Sequence, residues 1–273
     1  MGINLLHNAY WAAKECIINQ RGQEAYNTNG YCIDRWILWD ANTTLEITGN
    51  GLHVYRNRHT VGAPITHKFE QNSLAPGVYT LSVLSTNGVE RLNYYIEGVG
   101  DIFKDFDTDK ELATHTFTIP ETVKDKNHWV SIYGKYSSIL RAAKLELGPT
   151  QTLAHKDAAG NWVLNDRPDP TLELVKCQRY FREFCEYGLC EAKSNSEVEI
   201  DIITPLDMRV RPTLIPTYAA AFTPNGWDTT DPQNIQVSGG NDRVTTVLAK
   251  GLSGQSKEAF GFGLVKGYWD ADL

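Results

Sequence analysis

Charged and aromatic side chains are crowded together in the stretch INQRGQEAYNTNGYCIDRWILWD, residues 18–40. It holds Arg21, Asp34 and Arg35 beside two tyrosines and two tryptophans. Carboxylates and guanidinium groups can move protons, bind anions or hydrogen-bond sugar hydroxyls, while aromatic rings pack against apolar surfaces. The stretch therefore allows three interpretations, namely an active site, a sugar-binding surface, or a structural part of the fold.

A second group of candidate residues is acidic and alternates along GDIFKDFDTDKE, at Asp105, Asp107, Asp109 and Glu111. Alternating carboxylates are typical of calcium loops, but an EF-hand loop also needs a glycine after its third acidic residue and a glutamate at its twelfth position. Here a lysine and a threonine occupy those two places. The pattern favours a solvated acidic loop, with a structural Ca²⁺ as the alternative, and no other metal or cofactor is predicted.

The sequence motifs of common catalytic centres are absent. The seven histidines form no HExxH or HxxxH group, no GxSxG turn exposes a serine, and no GxxxxGK[ST] or GxGxxG loop could hold a phosphate. A glycosidase needs two carboxylates across a sugar bond, and nothing in the sequence selects such a pair. Cys16 and Cys32 read as buried thiols, which are inert without a positive environment. We therefore predict no catalytic residues and no enzymatic activity.

Composition excludes several classes of partner. The chain has 273 residues and a net charge of -7, which would repel phosphate backbones and anionic lipid, so we expect no nucleic acid as a partner. No apolar stretch approaches the roughly 18 residues that a membrane span needs, and the first residues lack a signal-peptide pattern. Five cysteines, an odd number, form no paired metal-ligand spacing. We expect a protein folded in a cytoplasm, with free thiols and no membrane insertion.

Short runs rich in Val, Ile, Thr, Tyr and Trp, separated by Gly, Asn, Asp and Pro, predict an all-β protein. In the clearest strand, APGVYTLSVLST, the residues Tyr79, Leu81 and Val83 share one face. The number of strands predicts a jelly-roll β-sandwich over residues 1–148. A Pro-rich extended connector follows over 149–171, and a second, smaller β-sandwich over 172–273.

Aromatic residues are the remaining candidates for ligand binding, and the chain has seven tryptophans and thirteen tyrosines. Sugar rings present apolar C–H faces that stack on such side chains, while Asp, Asn, Gln and Arg bond the hydroxyls. Strand alternation in the stretch 18–40 would place Asp34 and Trp36 on one face and Arg35, Ile37 and Trp39 on the other. One tryptophan of this strand is thus expected to pack inward, and the other to be open to a ligand or a second sheet.

The order of several short motifs resembles a known group of proteins. The motifs are NLLHNAYW, INQRGQEAY, GYCIDRW, PGVYTLSV, AKLELGPTQTLAH, KCQRYF, PLDMRVRPTL and DADL. They resemble the carbohydrate-binding-module-like jelly rolls and C-terminal portions of tail-fibre proteins from phages and prophages. The resemblance implies a structural protein of the virion tail, made in the host cytoplasm, that contacts a bacterial surface glycan. It also implies a homotrimer with other tail proteins as partners, and it does not imply catalysis.

Our leading hypothesis is a receptor-binding tail-fibre protein that attaches to a bacterial surface carbohydrate. The predicted stacking platforms are Trp39, Tyr94 and Trp129, with Arg35 as a partner for a hydroxyl or anion. Trp227, in the turn-rich TPNGWDTTDPQN, is predicted to be a second receptor contact at a loop tip. Two alternatives stay open: a spacer or assembly protein without a ligand, and an accessory module of an enzyme that degrades surface polymers.

Overall fold

The computed structural model describes residues 2–39, 42–56, 64–107, 109–205, 208, 210, 212–223, 226–240, 243–252 and 260–271. Parts of the motifs PLDMRVRPTL and DADL lie outside these residues. The described chain is mostly β-strand with one α-helix, which confirms the all-β class. None of its helical segments has the length and apolar character needed to cross a membrane. The chain forms two compact units, Met1–Cys177 and Gln178–Leu273.

The first unit is a sandwich of two six-stranded antiparallel sheets. Sheet 1 has the order β1-β4-β5-β12-β7-β10, and sheet 2 has the order β2-β3-β6-β11-β8-β9. The strands are β1 Ala25–Tyr26, β2 Gly30–Tyr31, β3 Trp36–Leu38, β4 Thr43–Thr48, β5 Gly51–Arg56, β6 Ile65–Lys68, β7 Gly77–Ser85, β8 Val89–Ile96, β9 Gly100–Asp105, β10 Leu112–Ile119, β11 His128–Gly134 and β12 Ser138–Leu147. From β7 to β12 the chain crosses repeatedly between the sheets, as in a jelly roll.

Alternating apolar residues build the core between these two sheets. In β7, Tyr79, Leu81 and Val83 belong to the core cluster, as the sequence predicts. Their partners across β12 are Leu147, Leu145 and Ala143, two of which are buried while the strand end is exposed. The same alternation in β8 and β11 turns one face of sheet 2 inward and leaves the other face outward.

The residues after β12 fold back over the outer face of sheet 1. They contain a hairpin, β13 Ala154–Lys156 with β14 Trp162–Leu164, and lead into the helix α1 Pro170–Gln178. Leu153 and Ala154 pack on Leu84 and Ala142 of the sheet. The predicted connector 149–171 thus lies within the first unit, and it buries polar side chains of sheet 1 that would otherwise face water.

The second unit is one seven-stranded antiparallel sheet with the order β18-β17-β21-β15-β16-β20-β19. The sheet curls, so that the non-adjacent strands β17 and β19 contact each other around an apolar core. The strands are β15 Phe181–Ala192, β16 Glu197–Ile203, β17 Thr213–Thr223, β18 Gly226–Thr230, β19 Ile235–Gly240, β20 Val244–Lys250 and β21 Phe260–Asp270. Gly263 belongs to the inner face, where a Cβ would lie 2.7 Å from the Ile200 side chain.

Candidate functional site

Two charged residues of the stretch 18–40, Arg21 and Asp34, join segments of the fold. The Asp34 side chain is 1% exposed, and its carboxylate accepts hydrogen bonds from Gln20 Nε2 at 2.6 Å and Arg21 Nη1 at 3.3 Å. These bonds join the segment before β1 to the segment before β3. Because the carboxylate is enclosed and already bonded, this cluster is not an active site.

Arg35 was predicted to bind a ligand, but the structure places it in the interior, where it does not face an open surface. Its φ of 72° lies in the left-handed region, so the strand begins only at Trp36 and the alternation does not extend back to residue 35. The arginine is 2% exposed, and its Nη2 donates to the carbonyl oxygen of Lys68 at 2.6 Å. Its guanidinium therefore supports the backbone at the end of β6.

Tyr94, predicted as a stacking platform, is fully buried in the core and so does not present its ring on the surface. Its ring stacks on Phe117 with a centroid distance of 4.8 Å, and its hydroxyl lies 3.0 Å from His128 Nδ1. Burial raises the pKa of this phenol. The apolar neighbours Leu92 and Ile96 share its strand face, and that alternation was the signal that could have identified Tyr95 instead.

Trp129 and Tyr95 form a stacked pair on the outward face of sheet 2. They are directly opposite each other on β11 and β8, with ring centroids 4.1 Å apart and an angle of 20° between the planes. Both side chains are partly exposed. In this geometry each ring covers one face of the other, so the two side chains hold each other in place before a ligand binds, and their remaining exposed parts form an ordered apolar surface.

Trp39 lies on the same side of the sandwich as this pair. Its side chain is 46% exposed, and the Lys68 ammonium lies 5.6 Å from its ring centroid. Lys68 is the cross-strand partner of Trp129, so the lysine connects the two tryptophans. The prediction that Trp36 packs inward and Trp39 outward agrees with this arrangement, since Trp36 is fully buried.

At the other end of sheet 2, Arg91 is held between aromatic rings. Its Cζ lies 4.0 Å from the centroid of Phe103 and 5.9 Å from that of Tyr133. Asp105 binds the guanidinium through two hydrogen bonds, of 2.6 and 3.1 Å, and this pairing lowers the pKa of the carboxyl. The group borders a cleft of about 480 Å³. Sequence reasoning named Asp105 as part of an acidic loop but missed Arg91, Phe103 and Tyr133, because cross-strand pairing brings these residues together.

Polar side chains lie between and below the rings. Asn93 Nδ2 donates to Asp101 Oδ1 at 2.6 Å, and the hydroxyls of Thr66 and Ser131 are 2.9 Å apart. Within the described part of the chain, Asn93 Oδ1 is buried and accepts no hydrogen bond. The outward face of sheet 2 thus combines aromatic rings with hydrogen-bonding groups. We call it the aromatic face; its rings are Trp39, Tyr95, Phe103, Trp129 and Tyr133.

Trp227 belongs to the second unit and lies in β18 rather than at a loop tip. Its side chain is 47% exposed, and its ring centroid lies 6.0 Å from that of Tyr187. A pair of exposed aromatic residues at this distance is compatible with a ligand contact. The role of Trp227 as a receptor contact stays a prediction.

The acidic loop is engaged in ion pairs at two of its four positions. Asp105 binds Arg91, and Asp109 lies 2.6 Å from Lys135 Nζ. Where the structure describes the chain, no three His, Cys, Asp or Glu side chains are grouped so that they could hold a metal ion. The arrangement therefore gives no geometric support to the alternative of a structural Ca²⁺.

No protein-family model matches the chain, and no curated protein sequence matches it. Among solved structures, the chain is similar to the Podospora anserina GH26-CBM35 beta-(1,4)-mannanase, with 13% sequence identity and a TM-score of 0.29. The match covers 49% of this chain and 29% of the length of the mannanase. A TM-score this low carries no argument about function.

Proposed function

We propose that the protein binds a carbohydrate chain on the aromatic face of its first unit. The observation that carries the proposal is the stacked pair of Trp129 and Tyr95 on an outward sheet surface, flanked by hydrogen-bonding side chains. Contiguous aromatic surface that stays in contact with water and is bordered by polar side chains is typical of a ligand-binding or partner-binding site. A sugar ring supplies both the apolar face for the rings and the hydroxyls for the polar groups.

The chemistry of the flanking groups suits a neutral or weakly charged glycan. Two basic side chains, Arg91 and Lys68, and two acidic ones, Asp105 and Asp101, lie on this face, so their charges largely balance; Arg91 is paired with Asp105, and the neutral amide of Asn93 donates to Asp101. Such pre-formed pairs bond hydroxyl groups without a large change in charge, and they hold their geometry before the ligand arrives. A strongly anionic polymer would instead call for unpaired cations.

As its biological setting, we propose attachment of a phage or prophage tail fibre to a bacterial surface glycan. This part of the proposal rests on the order of sequence motifs described above. It includes a homotrimer, in which three weak sites act together and raise the overall avidity. The exposed Trp39 and the outward Trp129 favour a ligand-binding role over that of a spacer without ligand, for which buried tryptophans are expected.

An array of bacterial surface polysaccharides, probed with the purified chain, tests the proposal. We expect binding to a subset of glycans and at least a roughly tenfold loss in Trp129→Ala, because removal of a stacked ring costs about 1.4 kcal/mol or more. Trp39→Ala should weaken binding to a smaller extent. Tyr55→Ala is the matched control, since Tyr55 is 41% exposed and lies beside His53 on the outer face of sheet 1.

Two results would contradict the proposal. The first is a folded wild-type chain that binds no glycan on the array. The second is binding that Trp129→Ala and Tyr55→Ala reduce equally, because the site would then lie elsewhere. Release of reducing ends from a bound polysaccharide would show catalysis and would support the alternative of a polymer-degrading module.

A further inference from the structure

A lysine and two carboxylates meet beneath the segment that crosses sheet 1. Lys144 and Glu146 lie on β12, on the face opposite the main core, and their side chains are only 2% and 1% exposed. Asp166 comes from the segment after β12 that covers this face, called here the covering segment; its side chain is 53% exposed, and its Oδ2 lies 3.1 Å from Lys144 Nζ. Glu146 Oε2 lies 3.7 Å from the same nitrogen. A buried amine thus lies between a buried carboxylate and a carboxylate at the edge of the covering segment.

A threonine hydroxyl connects the lysine to the buried glutamate. Lys144 Nζ donates to Thr152 Oγ1 at 2.8 Å, and Thr152 Oγ1 donates to Glu146 Oε2 at 2.6 Å. The backbone N–H of Thr152 donates to the other oxygen of Glu146, at 2.6 Å. This chain of hydrogen bonds gives a proton on the lysine a direct route to the carboxylate.

Separate charges are energetically unfavourable at this site, because the Lys144 ammonium and the Glu146 carboxylate are buried. Apolar residues of the covering segment and of β12 pack around it, among them Leu153 and Ala142. Burying an ammonium and a carboxylate costs several kcal/mol for each ion, and their attraction often fails to offset that loss. Joining Lys144 to Asp166 as an amide would remove the buried ammonium and the half-exposed Asp166 carboxylate, and the amide keeps a hydrogen-bond donor and an acceptor. The Glu146 carboxylate would keep the two hydrogen bonds that Thr152 donates to it.

We propose that Lys144 and Asp166 condense to form an isopeptide bond within the chain. The Lys144 ammonium first gives a proton to Glu146, directly or through Thr152, and the neutral amine attacks Cγ of Asp166. A C–N bond forms and a C–O bond breaks. The departing oxygen takes up two of the three original ammonium protons, one of them returned by Glu146, and leaves as water.

The reaction is balanced without an additional reagent. One ammonium and one carboxylate become one neutral amide and one water, so no oxidant, reductant or activated group takes part. Intramolecular placement replaces the activation that a free amine and acid would need, because effective molarities in well-oriented pairs are very high. A cavity of about 370 Å³ borders both Lys144 and Asp166, and it provides space for the released water.

The bond would fasten the covering segment to sheet 1. It joins β12 to the stretch between β14 and α1, so the hairpin of β13 and β14 lies inside the closed loop. A cross-link of this kind restricts the unfolded chain and keeps the segment in place under mechanical load or proteolysis. This role is independent of the aromatic face, which lies on the other sheet.

Intact-mass spectrometry of the full, folded chain under reducing conditions tests the proposal. We expect a mass lower than that of the sequence by one water, and a branched proteolytic peptide that contains both Lys144 and Asp166. Lys144→Arg keeps the charge but cannot form the amide, so it should show the full sequence mass. Glu146→Gln should form the bond at least roughly tenfold more slowly, since it cannot accept the proton.

Lys176→Arg is the matched control, because Lys176 is also paired with a carboxylate, that of the buried Glu173, but its own side chain is 46% exposed. It should lose one water just as the wild type does. A wild-type chain that keeps the full sequence mass after prolonged incubation at neutral pH would overturn the proposal. A water loss that persists in Lys144→Arg would place the modification elsewhere and would overturn it as well.

Discussion

Acidification should destabilise the first unit because three of its histidines are buried. His67 and His128 are 1% exposed, and His115 is 7% exposed. Burial lowers the pKa of each imidazole, and for His67 the nearby Arg35 guanidinium and the His7 ring lower it further. His67 Nε2 also accepts a hydrogen bond from the His7 N–H at 3.2 Å, which a proton on that nitrogen would break.

The sign and size of the effect follow from proton binding. The unfolded state takes up protons near the ordinary histidine pKa of 6.5, whereas the folded state resists them. The contribution of these histidines to the free energy of unfolding is therefore fully present above the ordinary histidine pKa and is lost progressively as the pH falls below it. Each histidine that stays neutral in the folded chain lowers the free energy of unfolding by about 1.4 kcal/mol between pH ~8 and pH ~5.5. Three such residues lower it by at most about 4 kcal/mol. That is a large part of a typical stability of about 5–15 kcal/mol.

Urea unfolding at pH ~8, ~6.5 and ~5.5, followed by tryptophan fluorescence, measures this difference. His67→Gln keeps a hydrogen-bond acceptor but cannot become charged, so it should reduce the loss between the two extremes by about 1.4 kcal/mol. His155→Gln, on the exposed hairpin of β13 and β14, is the control, and its loss of unfolding free energy between pH ~8 and pH ~5.5 should equal that of the wild type. Equal wild-type stability at pH ~5.5 and ~8 would refute this reasoning, and so would a His67→Gln variant with the wild-type loss.

Three further outcomes follow from the structure and from the proposed function. Gly188→Ala should prevent the pairing of β15 with β16 and unfold the second unit, because its Cβ would lie 2.0 Å from the carbonyl oxygen of Asp201. Circular dichroism and limited proteolysis would detect the unfolding, and a variant with native-like spectra and protease resistance would contradict the prediction. Asn8→Ala should lower the free energy of unfolding by about 3 kcal/mol, because the buried amide makes three hydrogen bonds, two with the backbone of Ile18 and one with the carbonyl of Asp34. A urea midpoint equal to that of the wild type would contradict this prediction. Light scattering at micromolar concentration should give the mass of a trimer, and a monomer mass would contradict that part of the proposal.

The fold class could be predicted from the sequence because it depends on local alternation. The stretch APGVYTLSVLST alternates apolar and polar residues with period two, and β7 places Tyr79, Leu81 and Val83 in the core accordingly. The position of the hairpin over sheet 1 could not be predicted in this way. Its packing on Leu84 and Ala142 is a contact between segments far apart in the sequence.

The candidate site was predicted only in part, for reasons that particular residues show. Trp39 and Trp129 face outward as expected, but Arg35 takes a positive φ that a strand pattern does not indicate. Tyr94 and Tyr95 are adjacent in the sequence, and adjacent residues of a strand point to opposite faces of the sheet. The prediction of Tyr94 therefore chose the inward ring and not the outward one. The aromatic cluster around Arg91 depends on the pairing of three strands and has no signal in the local sequence.

The central claim is that the aromatic face binds a sugar, and a calorimetric titration tests it most directly. The glycan that binds best on the array would be titrated into the wild type, Trp129→Ala and Tyr55→Ala. We predict that Trp129→Ala raises Kd by at least roughly tenfold, which corresponds to about 1.4 kcal/mol, while Tyr55→Ala keeps the wild-type Kd. The same Kd for Trp129→Ala and the wild type would contradict the claim.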